Sequence, residues 1–330
     1  MAVPRYGRRA ERGLTAAINR FLSELRNPTT PRAKVIAVTL AIIFFSFVTL
    51  AVVSGFFLSR AMNPLQADES IDPTRFLGNA QTVEFQTLDG VTHNGWFFPG
   101  LRAGPVVVLC HGFKSSRAEI LTLATSLQQH RYNVLAFNFA GHGESPVGYT
   151  TLGGKEIQEL RAALEMLSRR TDIDTTRIGL WGYSLGGYVV LHTAPNFPGV
   201  KAVVVDSVYP RPGALLRLEL ERLGGNIVPL VIPVAVAEFR AVSLLYGGTH
   251  DITADLNRTA GLPKLFIAGE DAPGLASMTQ QLYAQAPGPK ELTELPRTNM
   301  AAMVEEERRN YENVVVSFFF RSLPLVAESP

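Results

Sequence analysis

One cysteine, Cys110, stands in a chain of 330 residues. An internal disulfide is therefore excluded, as is any zinc site built on cysteine pairs. The thiol lies in an apolar run, Pro105–Cys110, where a buried and inert side chain is expected. Charge is also sparse, at 18% of residues, and the formal net charge is only +2. Between Met1 and Lys34, seven arginines and one lysine face only Glu11 and Glu24. The remainder is mildly acidic, which leaves no basic surface for nucleic acid. Histidine is scarce: there are six, and none follows His250. A dinucleotide-type glycine fingerprint and a metal-ligand cluster are both missing, so neither cofactor nor metal is expected. No internal repeat or low-complexity tract occurs.

What the chain does have is a long uncharged run, Val35–Leu58, of 24 residues. As a helix it measures roughly 36 Å, enough to span a hydrocarbon core with some tilt. Arg32 and Lys34 precede it, whereas Asp68, Glu69 and Asp72 follow within a short distance. The positive-inside rule then puts residues 1–34 in the cytoplasm and the large C-terminal part outside. A cleaved leader is the alternative, but its apolar core and its basic lead-in would both be unusually long. Within the basic segment, Leu14, Ile18, Phe21, Leu22 and Leu25 recur at helical spacing among arginines. This pattern suits a helix lying on an anionic leaflet, or else a solvated tail. Residues 59–74, with Pro64 and Pro73, read as a linker.

From about residue 75 to 322, strand and helix patterns alternate. Thr82–Thr87 and His93–Phe98 flank Leu88-Asp89-Gly90 as a hairpin. Pro105–Cys110 is β-branched and continuous, as a strand buried on both faces must be. Strands over Val134–Phe139, Arg177–Trp181, Ala202–Val205, Lys264–Ala268 and Glu291–Leu295 alternate with helical stretches at Ala118–Gln129, Lys155–Ser168, Leu185–His192, Leu275–Ala284 and Val304–Phe320. Such repetition implies an α/β fold, with a mostly parallel sheet of about eight strands and helices on both faces. The rhythm breaks between about 208 and 261. There a helix over Ala214–Leu223 and the apolar stretch Ile227–Val236 read either as a lid over the sheet's carboxyl edge or as a packing excursion.

Gly182-Tyr183-Ser184-Leu185-Gly186 is a G-x-S-x-G pentapeptide placed directly after an apolar strand and directly before a helix, as a nucleophile elbow requires. His111-Gly112-Phe113 follows the strand ending at Cys110, and Ala140-Gly141-His142-Gly143-Glu144-Ser145 follows the next. With these three motifs in this order, the chain resembles the α/β-hydrolase superfamily from about Thr82 to Phe320. Its subgroup resemblance is to serine aminopeptidase-like and membrane-anchored lipase- or esterase-like members. The resemblance implies Ser184 as nucleophile and the backbone N–H groups of Phe113 and Leu185 as the oxyanion hole. It also implies an acid after the seventh strand, at Glu270 or Asp271, although the usual spacing falls on Ala272.

The chain departs from the family at the base. After the last strand, Leu295-Pro296-Arg297-Thr298-Asn299 carries asparagine where the resemblance calls for the catalytic histidine. A neutral amide cannot take a proton from a hydroxyl. His250, at the start of the helix leading into the seventh strand, is a possible substitute. His111 and His142 are structural in the family, His93 and His130 fall on the edge hairpin and the end of a surface helix, and His192 lies on the helix after Ser184 but too far along it. Two functions remain open. One is a membrane-anchored serine hydrolase taking a lipophilic small molecule or a peptide. The other is a catalytically impaired pseudo-hydrolase whose cleft binds a ligand or partner.

The orientation is directly testable. A cysteine placed at Ser70 should react with an impermeant maleimide on intact cells, and one at Thr15 should be protected. The reverse pattern would put the large domain in the cytoplasm.

Overall fold

The computed structural model describes residues 23, 30–64, 72–75, 78–146, 148–224, 229–246 and 250–325. The helix expected over Leu14–Leu25 lies outside the described residues, as do the middle of the linker and the start of the Ile227–Val236 stretch. Contacts divide the chain into two units, Met1–Phe56 and Phe57–Pro330. Most of helix α1, Pro31–Met62, belongs to the first. It extends four residues beyond the apolar run at each end, and its length and composition suffice to cross a membrane.

The second unit is built on one eight-stranded sheet, in the order β1-β2-β4-β3-β5-β6-β7-β8. The strands are β1 Gln81–Gln86, β2 Thr92–Phe98, β3 Val106–Cys110, β4 Asn133–Phe137, β5 Ile178–Tyr183, β6 Val200–Asp206, β7 Lys264–Gly269 and β8 Lys290–Leu295. β2 runs antiparallel to β1 and β4, and every later pairing is parallel. The sheet therefore matches the architecture expected from the alternating patterns, with strand ends shifted by one or two residues.

Every residue of β3, β4 and β7 is buried, as their unbroken apolar sequences require. Successive side chains feed opposite layers. Val106, Val108 and Cys110 join one core with Leu180, Val203, Val205 and Phe266. Val107 and Leu109 join the other with Trp181, Val204 and Ile267. The second layer is closed by α2, Leu121–Gln129, and by the C-terminal α9, Glu305–Ser322. The first is closed by α3, Gly154–Ser168, α4, Leu185–Thr193, and α8, Pro273–Gln285.

The segment that breaks the alternation folds as α5, Pro212–Arg222, and α6, Val231–Ser243, followed by the short α7, Thr253–Asn257. Val231, Ile232, Ala235 and Phe239 of α6 are buried, and so are Leu215, Leu216 and Leu220 of α5. Part of the apolar composition of this stretch is thus consumed in packing, while Leu230, Leu244 and Leu245 stay exposed.

Asp206, the last residue of β6, is a fully buried carboxyl that ties the sheet to α9. Its Oδ2 accepts from the Tyr311 hydroxyl at 2.8 Å, and the Trp181 indole N–H donates to that same hydroxyl at 3.1 Å. Its Oδ1 accepts from Ser207 Oγ at 2.9 Å. Burial, ahead of every other influence, pushes the acid up to about 8. The unfolded chain gives up this proton near pH 4, whereas the folded chain holds it to about pH 8. Stability from this group is therefore complete at low pH and falls as pH rises between those values. Asp206→Asn should remove that slope: relative to wild type, its thermal midpoint should be higher at pH 8 than at pH 5. An unchanged difference between the two pH values would mean that Asp206 is ionised in the fold.

Candidate active site

The turn between β5 and α4 is set by close packing at its two glycines. A Cβ at Gly182 would lie 2.4 Å from the Gly186 backbone, and one at Gly186 would lie 2.0 Å from the Cys110 carbonyl oxygen. No side chain fits either place, so the start of α4 sits against the end of β3. Between the glycines, Ser184 adopts φ +49° and ψ −106°. Such a conformation costs a non-glycine residue on the order of 1–3 kcal/mol and persists only where its surroundings impose it. Here the Ser184 N–H donates to the Asp206 carbonyl at 2.8 Å, and the Ser184 carbonyl accepts from Tyr188 N–H at 3.1 Å.

Ser184 opens onto a cavity of about 210 Å³. Phe113, Asp271 and Asn299 line the same space. Among the described residues, the backbone N–H groups of Phe113 and Leu185 find no acceptor. Leu185 is the first residue of α4, so the helix dipole adds to its N–H. Two unsatisfied donors near a serine at a helix N-terminus are the elements from which an oxyanion site is made.

Of the two acids after β7, Asp271 lines the cavity and Glu270 does not. Asp271 Oδ1 accepts from the Thr298 N–H at 3.1 Å, and Oδ2 accepts from the Asn299 N–H at 3.2 Å. The carboxylate is therefore gripped by the backbone of the loop after β8. Ala272, where the usual spacing would put the acid, begins α8 as its N-cap. Asn299 is exposed, and its Oδ1 accepts from Ala301 N–H at 3.2 Å, capping the short helix Met300–Ala302. Its side chain is turned to its own backbone, and only its main chain meets Asp271. The loop after β8 reaches the serine cavity through Asn299, and the side chain there serves as a cap.

No histidine lines the serine cavity. His250, the candidate substitute, instead stacks on His192 with ring centroids 5.5 Å apart, and its carbonyl accepts from the Tyr188 hydroxyl. His192 in turn lies 2.6 Å from Asp255. A substitute base at His250 is thus not what the geometry provides. His111 is fully buried: its Nε2 accepts from Phe139 N–H at 3.0 Å, and its Nδ1 faces the Gly112 carbonyl at 2.8 Å. Burial, then His142, hold its imidazole well below the usual histidine range. His142 packs edge-on against Phe113, 5.8 Å between centroids, with Nδ1 on the Ala140 carbonyl. Both rings brace the loops that carry Phe113.

Several cavity residues carry no mark in the sequence. Glu219 of α5 is buried, and it accepts from Lys114 Nζ at 2.6 Å and from Arg222 at 3.1 Å. Lys114 and Glu219 are 105 residues apart. Only the position of Lys114 beside Phe113 hinted at its place. Thr298, which does not itself line the cavity, carries no mark either. Its hydroxyl meets Ser207 Oγ at 3.0 Å, which links the loop holding Asp271 to the buried Asp206.

A family profile described as the α/β-hydrolase fold matches residues 105–229. Among curated proteins, the chain is 31% identical over 167 residues to a polyketide transferase of Stachybotrys chlorohalonatus, covering 44% of this chain and 54% of that one. It is 34% identical over 167 residues to the α/β hydrolase domain-containing protein WAV2 of Arabidopsis thaliana, covering 47% and 53%. The chain thus spans about half the length of these curated relatives. Among solved structures, the Pyrococcus furiosus esterase Pf2001 superposes with a TM-score of 0.63 at 24% identity, over 80% of this chain and 99% of the esterase. The α/β hydrolase GrgF of a Penicillium species gives 0.57 at 21%, over 74% and 99%. With the sheet order, the strand–turn–helix at Ser184 and the profile over residues 105–229 in agreement, the chain has the α/β-hydrolase fold.

Proposed function

We propose that this chain is a membrane-anchored serine hydrolase, with Ser184 as its nucleophile, that cleaves a small ester. The observation that carries the reading is the strained serine at φ +49°, aimed into a cavity beside two unsatisfied backbone N–H groups. In the proposed reaction Ser184 Oγ attacks the ester carbonyl and loses its proton to water or hydroxide. The Phe113 and Leu185 amides take the developing negative charge on the carbonyl oxygen. The alcohol leaves with a proton from solvent, and water then hydrolyses the acyl-serine. Asp271 occupies the acid's place and orients water at the cavity's edge.

A cavity of about 210 Å³ is smaller than most sites for drug-sized ligands. Its apolar wall, including Leu215, Leu218 and Leu275, suits a short acyl group, and Lys114, Glu219 and Arg222 suit a polar remainder. A long lipophilic chain, suggested by the apolar stretch near residue 230, fits less well because α6 buries Val231, Ile232 and Ala235 of that stretch. In this reading α1 anchors the protein in the bilayer through residues 35–58, with residues 1–34 cytoplasmic and the hydrolase domain outside. α5 covers the site as its lid.

A second reading, a pseudo-hydrolase that binds without turnover, is favoured by one specific fact. The residue at the histidine's place spends its side chain as a helix cap, and no imidazole reaches the cavity. Turnover of p-nitrophenyl acetate decides between the two. Wild-type kcat/KM should rise about tenfold per pH unit from pH 6 to 9, because serine ionisation has no internal base. Asn299→His should raise the rate at pH 7.5 by ~10²-fold or more and produce a plateau above about pH 7. A plateau already present in wild type would reveal another base. Absence of turnover in both proteins would leave only the binding role.

A further inference from the structure

Helix α6, Val231–Ser243, is apolar inside and out. Val231, Ile232, Ala235 and Phe239 turn inward and are buried. At 3.6 residues per turn, Leu230, Pro233, Ala237, Arg240, Ala241 and Leu244 share the opposite side, in one stripe about 100° wide. All six are exposed. The outer face of a helix on a globular domain ordinarily carries polar and charged residues, because water is its neighbour. Here Arg240 is the one charge on the stripe, and it is basic. The apolar surface is largest at its end, where Leu244 is 74% exposed and the adjoining Leu245 is 78%. Scattered apolar residues on a surface are ordinary, but a continuous helical stripe of them marks a face that meets a partner.

The stripe ends beside the place where the chain leaves its long apolar run. The second unit begins at Phe57, and the apolar run ends at Leu58. Leu58, Ala61 and Met62 are buried in the first core layer, and the Met62 carbonyl accepts from the Thr150 N–H at 2.9 Å. Next to Thr150, the Tyr149 hydroxyl lies 2.8 Å from the hydroxyl of Tyr246, the residue that follows Leu244 and Leu245. Lys155 Nζ stands over both rings, 4.9 and 5.5 Å from their centroids. Tyrosine rings collect at the headgroup level of a membrane, and basic side chains there are attracted by anionic lipid.

We propose that the exposed stripe of α6, together with Leu244 and Leu245, lies on the surface of the bilayer in which α1 is anchored. This rests on the reading of α1 as a membrane anchor. Residues 57–62 are then the first to leave the hydrocarbon, and they hold Thr150 and Tyr149 at its surface. Tyr246 and the end of the stripe are held there with them. The apolar side chains meet the boundary between headgroups and acyl chains, with Arg240 among the headgroups, as in a helix lying in the interface. Contact with lipid removes from water an apolar surface that the fold itself leaves uncovered.

The test uses the full chain in vesicles of phosphatidylcholine and phosphatidylglycerol, with a nitrobenzoxadiazole label on single introduced cysteines. Cys110 is fully buried, so the introduced thiol takes the label. Labels at Ala237→Cys, Ala241→Cys and Leu245→Cys should be quenched by lipid spin-labelled near the headgroup. The quenching should be about twofold or more that of a label at Arg309→Cys, exposed on α9 behind the other face of the sheet. A label at Val48→Cys, inside the apolar run, should be quenched by lipid spin-labelled at the acyl terminus. Quenching at Val48 with none beyond the Arg309 level on α6 and Leu245 would overturn the proposal and leave the anchor standing. No quenching at Val48 would overturn both. Crosslinking of Ala241→Cys between two copies, in place of lipid quenching, would give this face to a second copy of the chain and likewise overturn the proposal.

Discussion

The site depends on how closely the start of α4 packs against the ends of β3 and β5. With a carbonyl oxygen of Cys110 where a Gly186 side chain would be, the chain has only one way to turn from strand into helix. That turn forces Ser184 to a positive φ, while its N–H stays bonded to Asp206 of β6 and its carbonyl takes the first hydrogen bond of α4. The same packing sets Leu185 at the helix N-terminus, across from the Phe113 loop that leaves β3. Serine and both candidate oxyanion donors are therefore consequences of one backbone contact. The fully buried strands beneath make that contact rigid, because neither sheet face has solvent into which it could relax.

The acidic side of the site has a different support. Asp271 is held by two backbone N–H groups, and the Thr298 hydroxyl continues through Ser207 to the neutral, buried Asp206. Asp206 itself is clamped by Tyr311 of the last helix. A loop fixed in this way would present a side chain at residue 299 in a defined place. Asparagine there folds back to cap three residues of helix, whereas an imidazole could bridge from Asp271 toward the serine. On the proposed reading this loop could carry a base and none stands there, which is why activity is expected to follow hydroxide concentration.

Much of this was legible in the sequence for physical reasons. Strands buried on both faces must read as unbroken apolar runs, as Pro105–Cys110 does, and a strand-to-helix turn with no room for side chains must carry glycine on both sides of the serine. These signals are local. What could not be read was carried by contacts distant in sequence. The pairing of Lys114 with Glu219 joins residues 105 apart, and the Asp206–Tyr311 bond joins residues equally far apart. The apolar stretch near residue 230 was ambiguous because a lid and a packed helix have the same composition. His250 was a reasonable candidate by position in the chain, but ring stacking on His192 takes its side chain elsewhere.

The central claim is that Ser184 is a competent nucleophile without an imidazole partner. Reaction of the full chain with a fluorophosphonate, followed by intact mass and peptide mapping at a series of pH values, tests it most directly. The account predicts a single adduct on Ser184, absent in Ser184→Ala, that forms slowly at pH 7 and progressively faster toward pH 9. No adduct on Ser184 even at pH 9, or a rate that is already maximal near pH 7, would contradict it.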